Sequence, residues 1–95
     1  MGALPIPRPS KIVCVGRNSL AHAQELVKES PAEPLIFFKP PSALLAPGDA
    51  ILLPPNVGQV HFEGEVGVLL GRTARNVSPD EARDCIAAVL PLNDI

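Results

Sequence analysis

Apolar positions fall along the chain in short blocks, and the spacing within a block alternates between strand-like and helical. Residues 1–10 hold three prolines and no periodicity, which predicts an extended lead-in that reaches the first strand at Lys11. Ile12 to Val15 is an unbroken β-branched and Cys run closed by Gly16, a composition that suits a strand buried on both faces. Leu20, Ala23 and Val27 then recur at helical spacing behind the cap candidates Asn18 and Ser19, until Ser30 and Pro31 end the helix. Leu35 to Phe38 is a second apolar run, held between Pro34 and the pair Pro40 and Pro41, and it predicts a short strand that delivers Lys39 to its end. Pro47, Gly48 and Asp49 mark a turn, and Ile51 to Leu53 reads as a further short strand stopped by Pro54 and Pro55.

The longest strand signal begins at Val60. Between Phe62 and Leu70 the even positions are Phe62, Gly64, Val66, Val68 and Leu70, while His61, Glu63 and Glu65 occupy the odd ones. Period-two alternation of this kind predicts one apolar face and one acidic face. Ser78, Pro79 and Glu81 then form a helix start, because Ser caps the third residue, Pro suits the first position and Glu can reach back. Ala82, Cys85, Ile86 and Val89 are expected to form that helix's buried stripe, with Pro91 ending it before Leu92, Asn93, Asp94 and Ile95.

Composition narrows the class. Twelve prolines in 95 residues cut the chain into pieces too short for a helical bundle, so it is expected to be mainly β with short helices, an α+β fold. The hydrophobic fraction of 46% rests on Ala, Val, Ile and Leu, because only three aromatic residues are present, all Phe. That fraction argues for a packed domain over disorder. A net charge of -2 supplies no basic field for a phosphate backbone, so nucleic acid is not an expected partner. No stretch approaches the roughly 20 apolar residues that span a bilayer, and the start lacks a signal-peptide layout, so the expected setting is the cytoplasm, away from any membrane. Cys14 and Cys85 sit within apolar patterns and read as small buried hydrophobes.

Glu63 and Glu65 are the most informative polar pair. Side chains two apart on a strand point the same way, about 6.6–6.8 Å apart along it, and two carboxylates so placed repel unless water, a proton or a cation relieves them. Hard oxygen ligands suit Mg²⁺, Mn²⁺ or Ca²⁺. The spacing also fits a plain solvated strand face. Gly64 and Gly67 leave room near the backbone for a ligand. Asp94 is a third oxygen ligand by residue type, and read alone a solvated one. His22 and Glu25, three apart on the first helix, share a face and suit either general-base work or a surface pair. Arg17, Asn18 and Lys39 are candidate anion-binding groups or ordinary loop polars.

Taken in order, Lys11-Ile-Val-Cys-Val-Gly-Arg-Asn18, His22 with Glu25, Pro34-Leu-Ile-Phe-Phe-Lys-Pro-Pro-Ser-Ala43, Pro47-Gly48, Val60-His-Phe-Glu-Gly-Glu65, the run to Gly71, and Asn93-Asp94 resemble the fumarylacetoacetate hydrolase family. The resemblance is to its smaller members, which act on acylpyruvates, oxaloacetate or hydroxymuconate-type diacids. It implies that Glu63, Glu65 and Asp94 ligate a divalent metal such as Mg²⁺, that His22 and Glu25 activate water, and that Arg17, Asn18 and Lys39 contact a 2-oxo or 1,3-dicarbonyl acid. Hydrolytic carbon-carbon cleavage would follow, with decarboxylation or tautomerisation as alternatives from the same enolate chemistry, and a non-catalytic binding or regulatory role as a further one. The resemblance also implies a mixed β-roll, of which residues 11–95 would be the N-terminal part of a catalytic domain, and a homodimer for an intact member. Ser19 stands where the family usually has an aromatic residue. Family members run on past the equivalent of Asp94 to further strands and a later lysine, so the 95-residue chain alone is expected to be inactive.

Overall fold

A computed structural model describes residues 2–16 and 33–95. The helix expected between Asn18 and Ser30 lies outside them. Strand β1, Ile12–Gly16, pairs antiparallel with β2, Leu35–Lys39, in a register that sets Ile12 opposite Lys39 and Gly16 opposite Leu35. The prolines on either side of β2 close it as the sequence requires, and Pro40 leads into a 3₁₀ turn at Pro41–Ala43. The turn at 46–49 closes through the Asp49 N–H donating to the Ala46 carbonyl at 3.1 Å, with Gly48 at φ 85°. Pro at the second position and Gly at positive φ in the third are what a type II turn demands.

The second sheet is the ribbon of β3, Glu63–Leu70, and β4, Ile86–Asp94. Between them stands a six-residue helix α1, Pro79–Asp84. Ser78 caps it: its Oγ accepts from the Glu81 N–H at 3.2 Å, and the hydroxyl lies 3.2 Å from Glu81 Oε1. Cys85 ends it with an αR cap, its N–H donating to the Ala82 carbonyl and its thiol to the Glu81 carbonyl at 3.3 Å. Both cysteines are free, Cys85 buried and Cys14 half-buried.

Four expectations are corrected. The helical stripe Ala82, Cys85, Ile86 and Val89 does not continue to Pro91, because the chain turns at Cys85 and Ile86–Asp94 pairs with β3. Ala-Ala-Val-Leu is compatible with either period, and the long-range ladder with a β-branched partner strand outweighs local helical spacing. Pro91 is tolerated there because a two-stranded ribbon has an outer edge where a missing N–H costs no ladder bond. Residues 51–62 carry no strand, so Ile51 to Leu53 is irregular and β3 starts at Glu63 rather than Val60. Ile12 to Val15 is not buried on both faces: Val13 is 53% and Val15 45% exposed, because β-branched composition favours a strand without fixing what packs on it. The even-numbered face of β3 is apolar as expected and open to solvent, with Val66 71% exposed.

Leu69 pairs with Ala88 but Leu70 pairs with Ile86, so Ala87 is the extra residue of a bulge. Just beyond, the Gly71 N–H donates to the Cys85 carbonyl at 2.8 Å. A Cβ on Gly71 would sit 2.8 Å from that of Ala87, so this closure requires glycine. The chain is mainly β, and it divides into two units, Met1–Leu52 and Leu53–Ile95. The first holds the β1–β2 pair and buries Ala46; the second holds the β3–β4 ribbon and buries Cys85. No helix among the described residues is long and apolar enough to cross a membrane.

Candidate metal centre

The ladder of the second sheet brings distant acidic residues together. Glu63 stands directly opposite Asp94, and Glu65 opposite Leu92. Residues paired across an antiparallel ladder point to the same face, with Cβ atoms typically about 4.5–5.5 Å apart. Glu65, two positions along, shares that face at about 6.6–6.8 Å from Glu63. All three carboxylates therefore project from one side at the open end of the ribbon. Glu63 and Glu65 are exposed, and Asp94 is half-buried.

Like charges directly opposite one another destabilise a sheet pair. A divalent cation seated between them would reverse the sign of that interaction, and three carboxylates are the hard oxygen donors that Mg²⁺ or Mn²⁺ takes. The backbone placement and the donor chemistry suit such an ion. The side-chain arrangement is more open: among the described residues no group of three His, Cys, Asp or Glu is gathered closely enough to hold a metal.

The space expected above Gly67 is filled. A Cβ there would lie 2.7 Å from Leu92 Cδ2 and 3.4 Å from Leu90 Cγ, so glycine makes room for the β4 leucines rather than for a ligand. Those leucines form an apolar floor next to the carboxylates, and the sequence did not reveal them because β4 reads as helix. Around Gly64 the space is open, but Gly64 belongs to the opposite face with Val66 and Val68. His61 precedes β3, so strand alternation does not assign it to the carboxylate side. Lys39 ends β2 in the first unit, half-buried opposite Ile12. Arg17, Asn18, His22 and Glu25 lie outside the described residues.

The family model described as fumarylacetoacetate (FAA) hydrolase C-terminal matches residues 11–95. The chain belongs to the fumarylacetoacetate hydrolase family. It is 44% identical over 88 residues to the uncharacterized protein PH0643 of Pyrococcus horikoshii, covering 93% of this chain and 38% of that relative. Protein Rv2993c of Mycobacterium tuberculosis is 42% identical over 86 residues, which are 90% of this chain and 32% of the relative. The human mitochondrial oxaloacetate tautomerase FAHD2A is 34% identical over 91 residues, 96% of this chain and 29% of the relative. The chain thus spans between about three and four tenths of the length of these family members. No solved structure matches it.

Proposed function

We propose that this chain carries the metal-holding strand pair of a divalent-metal-dependent enzyme acting on 2-oxo or 1,3-dicarbonyl acids. The observation behind the reading is the register that sets Glu63 against Asp94 with Glu65 on the same face. Glu63, Glu65 and Asp94 would hold Mg²⁺ or Mn²⁺, with Ca²⁺ as the larger alternative. The ion would supply Lewis-acid polarisation of a substrate oxygen and a template for orienting it. His22, oriented by Glu25, would take a proton from water or from the substrate carbon, since a carboxylate on one ring nitrogen raises the basicity of the other. Arg17, Asn18 and Lys39 would bind the substrate's carboxylate.

Within this reading the reaction is carbon-carbon hydrolysis of an acylpyruvate-like acid, with residues 11–95 as part of a mixed β-roll catalytic domain that works as a homodimer in the cytoplasm. A second reading is proton transfer alone. It is favoured by the relative named as an oxaloacetate tautomerase, because enolisation of a 2-oxo acid needs the same carboxylates and base without attack by water.

Metal binding is the first test, since it asks only for the strand pair. Titration of the chain with Mn²⁺, followed by calorimetry and by melting temperature, should show saturable binding and a rise in melting temperature. Glu63→Gln and Asp94→Asn should each weaken binding at least tenfold. Equal titrations of the variants and the parent chain would remove the metal reading. Oxaloacetate or an acylpyruvate added to a full-length family member carrying these residues then distinguishes the reactions: tautomerisation changes the enol absorbance without consuming the acid, and hydrolysis releases two carboxylic products.

A further inference from the structure

On the face of the ribbon that carries the acids, paired residues follow one another in rows. Glu63 stands opposite Asp94, Glu65 opposite Leu92 and Gly67 opposite Leu90. The first two rows make a square of neighbouring positions in which three corners are carboxylates and the fourth is Leu92. Leucine offers a cation no donor, and Mg²⁺ held by carboxylates keeps several of its waters. The direction in which Leu92 turns therefore decides whether the square has room for them. That direction is set by the third row. A Cβ on Gly67 would lie 2.7 Å from Leu92 Cδ2, so the end of the Leu92 side chain rests over Gly67, diagonally across the ladder and away from the Glu63–Asp94 row. Diagonal neighbours are about 7–8 Å apart at the backbone, a span that a long side chain can bridge. Leu90 Cγ lies 3.4 Å from the same point, so two leucines share the space above one glycine.

We infer that Gly67 is a positioning residue for the metal centre: by lacking a Cβ it lets Leu92 fold down onto β3, and so keeps the fourth corner of the carboxylate square clear for the cation and its waters. The inference rests on the metal reading proposed above and adds to it a residue that touches neither ion nor substrate. Gly67 makes room for a leucine, and the effect is felt one row away, between the acids. Gly67→Ala would oblige Leu92 to move. Leu90 occupies the space opposite Gly67, so Leu92 cannot retreat along β4, and the direction left to it is back toward Glu65 and Asp94. The clash is with the free end of a flexible side chain and involves no backbone atom, so the ribbon can absorb it by that rotation. The cost then falls on the site and spares the ladder. Gly71 is the opposite case, since its virtual Cβ meets the immobile Cβ of Ala87.

The test is a double-mutant cycle on Mn²⁺ affinity, with free Mn²⁺ counted by electron paramagnetic resonance, in the parent chain, Gly67→Ala, Leu92→Ala and the double variant. Gly67→Ala should weaken Mn²⁺ binding at least fivefold in the parent background and less than twofold in the Leu92→Ala background. Its far-ultraviolet dichroism should match that of the parent. Gly64→Ala, on the opposite face with open space around it, should bind Mn²⁺ as the parent does. Equal affinity of Gly67→Ala and the parent overturns the inference, because glycine would then serve packing alone. A loss that persists in the Leu92→Ala background overturns it as well, since Leu92 would not be the agent. So does a Gly67→Ala variant without the parent's dichroism, because the ladder itself would then need the glycine. A parent chain that binds no Mn²⁺ removes the metal reading and this inference with it, whereas a parent that binds beside an equally competent Gly67→Ala removes this inference alone.

Discussion

Glu63 and Asp94 lie 31 positions apart in the chain and directly opposite in the ladder, and that pairing is what makes them a candidate site. In metal-free buffer they repel, so Glu63→Gln should raise the unfolding free energy by a few tenths of a kcal/mol, the scale of cross-strand charge pairs. With Mn²⁺ present the order should invert, the parent chain melting above the variant. Two parallel urea titrations check both signs. Glycine 71 gives a contrast of another kind. A Cβ there meets that of Ala87 at 2.8 Å, and neither atom is free to swing away. Gly71→Ala should therefore cost about 1–3 kcal/mol, the usual penalty of overpacking. Gly64 faces open space, and Gly64→Ala should be neutral or stabilising by up to about 1 kcal/mol, because alanine loses less backbone freedom on folding. Comparable melting temperatures for the two alanine variants would contradict the packing described around the bulge.

The helix α1 is short because its start is strong and its continuation weak. Ser78 and Glu81 form the cap, and Ser78→Ala should lower stability by about 1 kcal/mol in chemical denaturation. Six residues cannot sustain a helix by propensity. Once Cys85 closes the last turn, Ile86 and Val89 gain more as partners of Leu70 and Val68 than as one more helical turn. The carboxylate site depends on that choice. Had the helix run to Pro91 as its spacing suggests, Asp94 would have had no reason to stand opposite Glu63.

At the scale of the whole molecule, the balance among the described residues is toward exposure. Twenty large apolar side chains are exposed among the described residues, including Phe38, Leu52 and Phe62. A 95-residue chain can bury only about 60–70% of its unfolded surface even when well packed. The chain by itself should therefore bind the dye ANS. Val66→Asp with Val89→Asp should cut the fluorescence by a measurable fraction, and an unchanged signal would place the dye elsewhere.

Local chemistry made several elements readable from the residues alone. The prolines around Leu35 to Phe38 bracket β2, Pro47-Gly48 fits only a narrow set of turns, Ser78-Pro79-x-Glu81 caps a helix, and Glu63-x-Glu65 on an alternating strand puts both acids on one side. Each of these depends on neighbours within about four positions. Residues 86–94 could not be assigned that way, since alanine, valine and leucine at their spacing satisfy a helix or a strand equally well. The ladder with β3 settled it, through bonds between residues far apart in the chain. The same ladder placed Asp94 beside Glu63, filled the space over Gly67 with leucine and left the valine face bare, because register and burial are properties of paired strands and no single strand carries them.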